Sequence, residues 1–340
     1  MRFRHIGFLA FTSFMSLSAV GFSQAGTTPA CGVSLACNAD APVGESTGFF
    51  SSTPQGSAYH YGRDFFLTES EDQWVIARFQ YGNVVNRQPL VHEEVQIQLL
   101  RDCGSTWENL GRAFTSAPGE NTEDMGTDDN GGWVFFKMPE SQKFGLGRHR
   151  IRLVVSGDQS ATELFLEVLP AHSTLFVSDV DGTLTTGEYI DTVAGALHQV
   201  APANPGAAAL FRSLVAKGYH PLYLTARASN LTQRTRDFIS TKKFPAGVID
   251  TNPNSLLPIA GIFGISFKAG VIQSYIDRGF RFAYGFGNTS VDAGAFAKAQ
   301  LPDDGKYFFN YPKYTDYGTG TSFTDYTELT EVQNAPNLCQ

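Results

Sequence analysis

The chain has 340 residues, 42% of them apolar, which exceeds one ordinary core and suits about two domains. Its formal net charge is −8, becoming −10 without Arg2 and Arg4, which argues against nucleic acid or a generic anionic membrane surface as partner. Beyond the first 25 residues no segment is long and apolar enough to be read as a transmembrane helix, so the mature protein is expected to be soluble.

Residues 1–25 place Arg2 and Arg4 before an apolar stretch from Ile6 to Phe22 and a small-x-small site at Ser23-Gln24-Ala25, the pattern of a secretory signal peptide. Thr12, Ser13, Ser16 and Ser18 interrupt the stretch, which disfavours a membrane anchor. The expected location is therefore secreted or periplasmic. Cys31, Cys37, Cys103 and Cys339 remain after cleavage, an even count that suits up to two disulfides in an oxidising compartment. Three pairings are open, and the short Cys31 to Cys37 loop is favoured.

Residues 26–47 read as a flexible Pro/Gly/Ser-rich lead-in. Residues 48–170 then alternate short β-like runs with polar turns: Gln73 to Phe79, Val95 to Leu100, Gly132 to Phe136, His149 to Val155 and Glu163 to Leu169. This pattern predicts an antiparallel, Ig-like β-sandwich with Trp74, Trp107 and Trp133 at core positions. The acidic stretch Glu123-Asp124 to Asp128-Asp129-Asn130 reads as a solvated hairpin turn in preference to a calcium loop.

From residue 171 to 340 strands alternate with helices. Leu175-Phe176-Val177 is a buried strand; Asn204 and Pro205 supply a cap and first-turn proline for a helix through Lys217. His220 to Thr225 is a strand, Asn230 caps a helix to Lys242, and Gly247 to Thr251 is a strand. Ala269 to Arg278 is helical, Phe280 to Gly285 a strand, Ser290 caps a helix through Ala299, and Tyr307-Phe308-Phe309 is the last strand. Repeated βα units predict a Rossmann-like parallel sheet with its sites at the carboxyl ends of the strands. The aromatic tail from Tyr307 to Tyr326 is expected to pack across that last strand.

Four motifs fall at those ends. Ser178-Asp179-Val180-Asp181-Gly182-Thr183 puts two carboxylates where the first strand breaks, a repelling pair unless a cation or shared proton relieves it. Thr225-Ala226-Arg227 offers a hydroxyl and backbone N–H groups to a phosphate oxygen. Lys268 follows Ser266-Phe267, and Gly287-Asn288-Thr289-Ser290-Val291-Asp292 ends with a carboxylate at a helix start. Taken singly, each is open to a bland reading as turn, solvated lysine or first-turn acid; their order is what counts against that.

In that order the motifs resemble the haloacid dehalogenase (HAD) superfamily of phosphohydrolases. SDVDGTLT, YLTARASNLTQRTRDFI, FPAGVI, SFKAGVI and FAYGFGNTSVDAGAF look like the catalytic domain of lipin-type phosphatidate phosphatases, and are equally similar to the related domain of membrane-associated phosphatidylinositol transfer proteins. The resemblance implies Asp179 as nucleophile forming an aspartyl phosphate and Asp181 as general acid and base. It also implies Mg²⁺ held by Asp179, the main-chain carbonyl of Asp181 and Asp292, with Asn288 nearby. Thr225 and Lys268 would stabilise the transferring phosphoryl group, with Ala226 and Arg227 as auxiliary phosphate contacts. Thr225 stands where lipins usually carry serine. The expected activity is a secreted phosphomonoester hydrolase acting on phosphatidate, a related phospholipid or a small phosphoester. The alternatives are a phospholipid-headgroup module that binds without turnover, and a protein whose sandwich is the functional half.

Overall fold

The computed structural model describes residues 31–33, 35–83, 86–121, 126–187, 200–252 and 261–339. The expected signal peptide, Glu123 and Asp124 of the acidic stretch, and most of the stretch after the first carboxylate motif lie outside the described residues.

Among the described residues, eleven strands make the first half: β1 Ser57–Ala58, β2 Tyr61–Gly62, β3 Phe65–Leu67, β4 Trp74–Arg78, β5 Gln80–Gly82, β6 Arg87–Pro89, β7 Glu94–Leu100, β8 Trp107–Phe114, β9 Trp133–Lys137, β10 Gly147–Val155 and β11 Ala161–Val168. A five-stranded sheet, β3-β11-β10-β7-β8, shares one apolar core with the smaller sheets β2-β4-β9 and β1-β5-β6. Period-two alternation explains the packing, since Val95, Ile97 and Leu99 of β7 are buried while Gln96 and Gln98 between them are half-exposed. The sandwich is antiparallel except where β3 runs parallel to β11. Trp74 and Trp133 occupy this core, but Trp107 does not. It is half-buried beside Cys37, Leu100 and Phe165, with the Arg150 guanidinium 5.3 Å from its ring centre.

The described part of the lead-in read as flexible is held along the sandwich from Cys37 to Thr47. Arg150 Nη1 donates to the carbonyls of Cys37 and Ala39 at 2.9 Å each, and Thr47 N donates to Ser156 O at 2.9 Å. Its cysteines do not pair with each other as favoured: Cys31 is bonded to Cys339 and Cys37 to Cys103. The short loop is attractive only by sequence distance, whereas the fold brings Cys31 beside Cys339 and Cys37 beside Cys103.

The second half contains β12 Thr174–Ser178, α1 Ala207–Val215, β13 His220–Ala228, α2 Thr232–Thr241, β14 Val248–Asn252, α3 Gly261–Asp277, β15 Arg281–Gly287, α4 Ser290–Lys298, β16 Lys306–Phe309, β17 Thr321–Phe323 and the short α5 Thr330–Gln333. The strands form a wholly parallel sheet in the order β14-β13-β12-β15-β16-β17. Phe176 of β12 enters the core shared with α1 and α2, while Leu175 and Val177 enter the core shared with α3 and α4. The sheet is thus buried on both faces, as a parallel sheet requires. Its order reverses between β12 and β15, so the crevice for a site opens at their carboxyl ends.

Several local expectations change. The last strand is β17, reached through the aromatic tail, not Tyr307–Phe309. Helix α3 begins eight residues before the expected Ala269, so Lys268 lies inside a helix and not at a strand end. Neither Asn204 nor Asn230 caps a helix: Gly206 and Leu231 hold those positions without side-chain bonds, and α4 is capped by Thr289, not Ser290.

Candidate active site

Strand β12 ends at Ser178, and the chain turns through Asp179 to Thr185 above the sheet. Asp179 N donates to Phe286 O of β15 at 2.9 Å, which seats the first carboxylate on the switch point. Gly182 takes a positive φ of 76°, a turn conformation that side chains with a Cβ resist. The turn is closed by Gly182 N donating to Thr185 Oγ1 at 2.9 Å.

A residue that sequence reasoning assigned elsewhere holds this loop. Asn204 Nδ2 donates to Thr183 O at 2.7 Å and to Thr185 O at 3.1 Å, and Tyr326 Oη donates to Thr183 O at 2.9 Å. Asn204-Pro205 looked like a helix start, and nothing local marks its amide as a clamp on a loop some twenty residues earlier.

Lys268 is buried on α3 and places Nζ 2.6 Å from Asp179 Oδ1 and 2.6 Å from Asp292 Oδ1. Asp292 reaches it from the first turn of α4, where its other oxygen accepts from Asn288 N at 3.1 Å, Thr289 N at 3.0 Å and Thr289 Oγ1 at 2.8 Å. The capping box therefore orients one carboxylate oxygen at the lysine. Gly287 is required beside it, because a Cβ there would lie 2.3 Å from Asp292 Cβ. Asn288 joins the two strand ends, its Oδ1 accepting from Thr183 Oγ1 at 2.9 Å, while Thr183 Oγ1 lies 3.2 Å from Asp179 Oδ2.

Asp181 turns to a different partner. Arg227 Nε donates to its Oδ2 at 2.7 Å and Nη2 to its Oδ1 at 2.6 Å. Thr225 Oγ1 is 3.4 Å from Asp181 Oδ2 and accepts from Arg227 N at 3.3 Å, so the hydroxyl expected on a phosphate is buried beside the second carboxylate. Thr225, Ala226 and Arg227 lie within β13, not beyond its end, but at an interruption: the ladder with β14 breaks between Leu224 and Ala228.

The structure thus brings Asp179, Lys268 and Asp292 together and sets Asp181, Thr225 and Arg227 beside them. Burial pushes the Asp179 carboxyl up to about 7; the Lys268 ammonium opposes that rise, while Asp292 and Asp181 add to it. Lys268 is driven upward by the same two carboxylates despite its burial, so it stays protonated. Two buried carboxylates facing one ammonium form an all-oxygen donor set, and that set suits a hard cation. The Asp181 side chain is not part of that set, leaving only its main-chain carbonyl as the expected ligand. Among the described residues, no three His, Cys, Asp or Glu side chains gather as a metal cluster.

A family model described as LNS2 (Lipin/Ned1/Smp2) matches residues 143–334, and a second, described as the PITM 1-3 beta-sandwich domain, matches residues 58–168. Membrane-associated phosphatidylinositol transfer protein 3 of Homo sapiens is 27% identical over 194 residues, which cover 57% of this chain and 18% of that protein. Protein retinal degeneration B of Drosophila melanogaster is 26% identical over 194 residues, covering 57% of this chain and 14% of that one. The match thus spans less than a fifth of either relative.

Proposed function

The chain belongs to the LNS2 (Lipin/Ned1/Smp2) family, a HAD-like domain here preceded by a β-sandwich, and on that premise we propose that it is an exported, Mg²⁺-dependent phosphomonoester hydrolase. The observation that carries the reading is the meeting of Asp179, Lys268 and Asp292 at the switch point, with Asp181 two residues further along the same loop. Binding alone does not need that second carboxylate.

Asp179 attacks phosphorus as the bond to the departing alcohol breaks, and an aspartyl phosphate forms on its side chain. Asp181 gives a proton to the departing oxygen. It then takes one from water, which attacks the same phosphorus and restores the Asp179 carboxylate with release of inorganic phosphate. Lys268 offsets charge on the transferring group from a buried position where the local dielectric strengthens the effect. Mg²⁺, held by Asp179, Asp292 and the Asp181 carbonyl, would supply further charge neutralisation.

The substrate class we propose is phosphatidate, a related phospholipid or a small phosphoester, since lipins and the named phosphatidylinositol transfer relatives share the domain. Export rests on residues 1–25 and on two disulfides, which persist in oxidising compartments.

One observation favours headgroup binding without turnover instead: both Asp181 oxygens accept from Arg227, so one of them must leave that pair before Asp181 can carry a proton to a leaving group. Phosphate release from phosphatidate vesicles and from soluble phosphoesters, with Mg²⁺ or chelator, separates the two. Wild type should release phosphate only with the metal, and Asp179→Asn should lose at least ~10³-fold. Tight phosphatidate binding with no release from any ester would establish the binding module.

A further inference from the structure

Arg227 stands 46 residues from Asp181 in the chain, yet a single planar group holds both carboxylate oxygens. The guanidinium is itself pinned. Nη1 donates to Thr235 Oγ1 on α2 at 3.0 Å, and that hydroxyl donates to Leu231 O at 3.1 Å. Arg227 is 4% exposed while the Asp181 side chain is 24% exposed, so the arginine is the anchor and the carboxylate the accessible member.

We propose that Arg227, fixed by Thr235, is the positioning residue for Asp181, and that it selects for phosphoesters whose leaving group must be protonated. The inference rests on the phosphatase reading above. As the Asp179 oxygen bonds to phosphorus and the ester P–O bond breaks, the alkoxide takes the proton of Asp181. One Asp181 oxygen keeps its bond to Arg227 throughout, and the second returns to Nη2 or Nε once the proton has gone. An arginine that ligated the substrate phosphate instead would contribute to every ester alike.

The test compares kcat/KM for an alkyl phosphate, which expels a strongly basic alkoxide, with that for p-nitrophenyl phosphate, which expels a weakly basic phenolate. This ratio reports the step up to formation of the aspartyl phosphate. Arg227→Gln should lower the alkyl-to-aryl ratio by at least ~30-fold, within the range that general acid catalysis supplies. Thr235→Val should lower it by ~3-fold or more, and Arg227→Lys should recover part of the loss. The inhibition constant of inorganic phosphate should stay within ~3-fold of wild type in all three variants.

An unchanged ratio with equal losses on both esters would make Arg227 merely structural and overturn the proposal. So would an unchanged ratio with a tenfold or greater rise in the phosphate inhibition constant, which would make it a phosphate ligand. If Arg227→Gln fails to fold by circular dichroism, Thr235→Val decides by the same ratio. Absence of turnover by wild type on either ester would bring down the phosphatase reading and this inference together, an outcome distinct from an unchanged ratio.

Discussion

Asp250 shows how much charge the interface between the two halves buries. It sits on β14 with its carboxyl raised to about 6 by burial; Arg63, 3.9 Å away, opposes the rise and Asp64 adds to it. A carboxyl raised on folding is less acidic than in the unfolded chain, so the folded form holds the extra proton between about pH 4 and pH 6. This group's contribution is present at the acid end and is lost as pH climbs through about 6. His60 and His149, lowered to about 4 by burial, act with the opposite sign over the same window. Subtracting wild type from Asp250→Asn isolates the carboxyl: urea unfolding should show the variant gaining about 3 kcal/mol relative to wild type between pH 4 and pH 7. A difference flat with pH would remove Asp250 from the balance. At this scale Asp179 and Asp181 were legible because two carboxylates around Val180 at a strand end are a local oddity. The Arg227 contact was not, since its partner is 46 residues away and no spacing encodes a fold-made pair.

The elements were legible wherever one face is apolar, and α3 shows where that fails. Its buried positions Gly264, Lys268, Ala269, Ile272 and Tyr275 keep helical spacing. A charged residue stands among them, while Ile262 and Phe263 at its start are 79% and 81% exposed, so the usual pattern is inverted in the first turns. The buried charge is matched there, because Lys268 Nζ lies 2.6 Å from both Asp179 Oδ1 and Asp292 Oδ1. The loop after β12 depends on a similar misdirection. Asn204→Ala strips the Thr183 and Thr185 carbonyls of a buried donor and should cost about 1–3 kcal/mol. On the phosphatase reading proposed above it should also lower kcat for phosphate release, because the same loop carries Asp179 and Asp181. Thermal melting and steady-state kinetics measure the two effects, and a variant that melts lower with unchanged kcat would free the loop from Asn204.

On the scale of the molecule, the sandwich and the parallel sheet are joined through buried groups. Asp64 accepts from Phe165 N at 2.8 Å, Ile249 N at 3.3 Å and Arg236 Nη1 at 2.9 Å, and Arg278 pairs with Glu71 at 2.8 Å. Phe66 of the sandwich lies wholly buried in the α/β core, its ring 5.7 Å from Tyr275 and 6.2 Å from Phe280. The two halves should therefore melt as one calorimetric transition, and Phe66→Ala should cost about 3–5 kcal/mol while lowering that single transition. Two separated transitions in the wild type would show the halves to be independent. What composition and periodicity settled was the change of regime near Pro170, from period-two alternation to repeated βα units, and the order of the four motifs along the second half. Those features are local, because burial of one face imposes a period on neighbouring residues. The cysteine pairing, the Asn204 clamp, the Arg227 hold on Asp181 and the joining of the halves through Asp64 and Phe66 were decided by tertiary structure alone. A period records that a side chain faces inward; only the closed fold chooses which distant group it meets there.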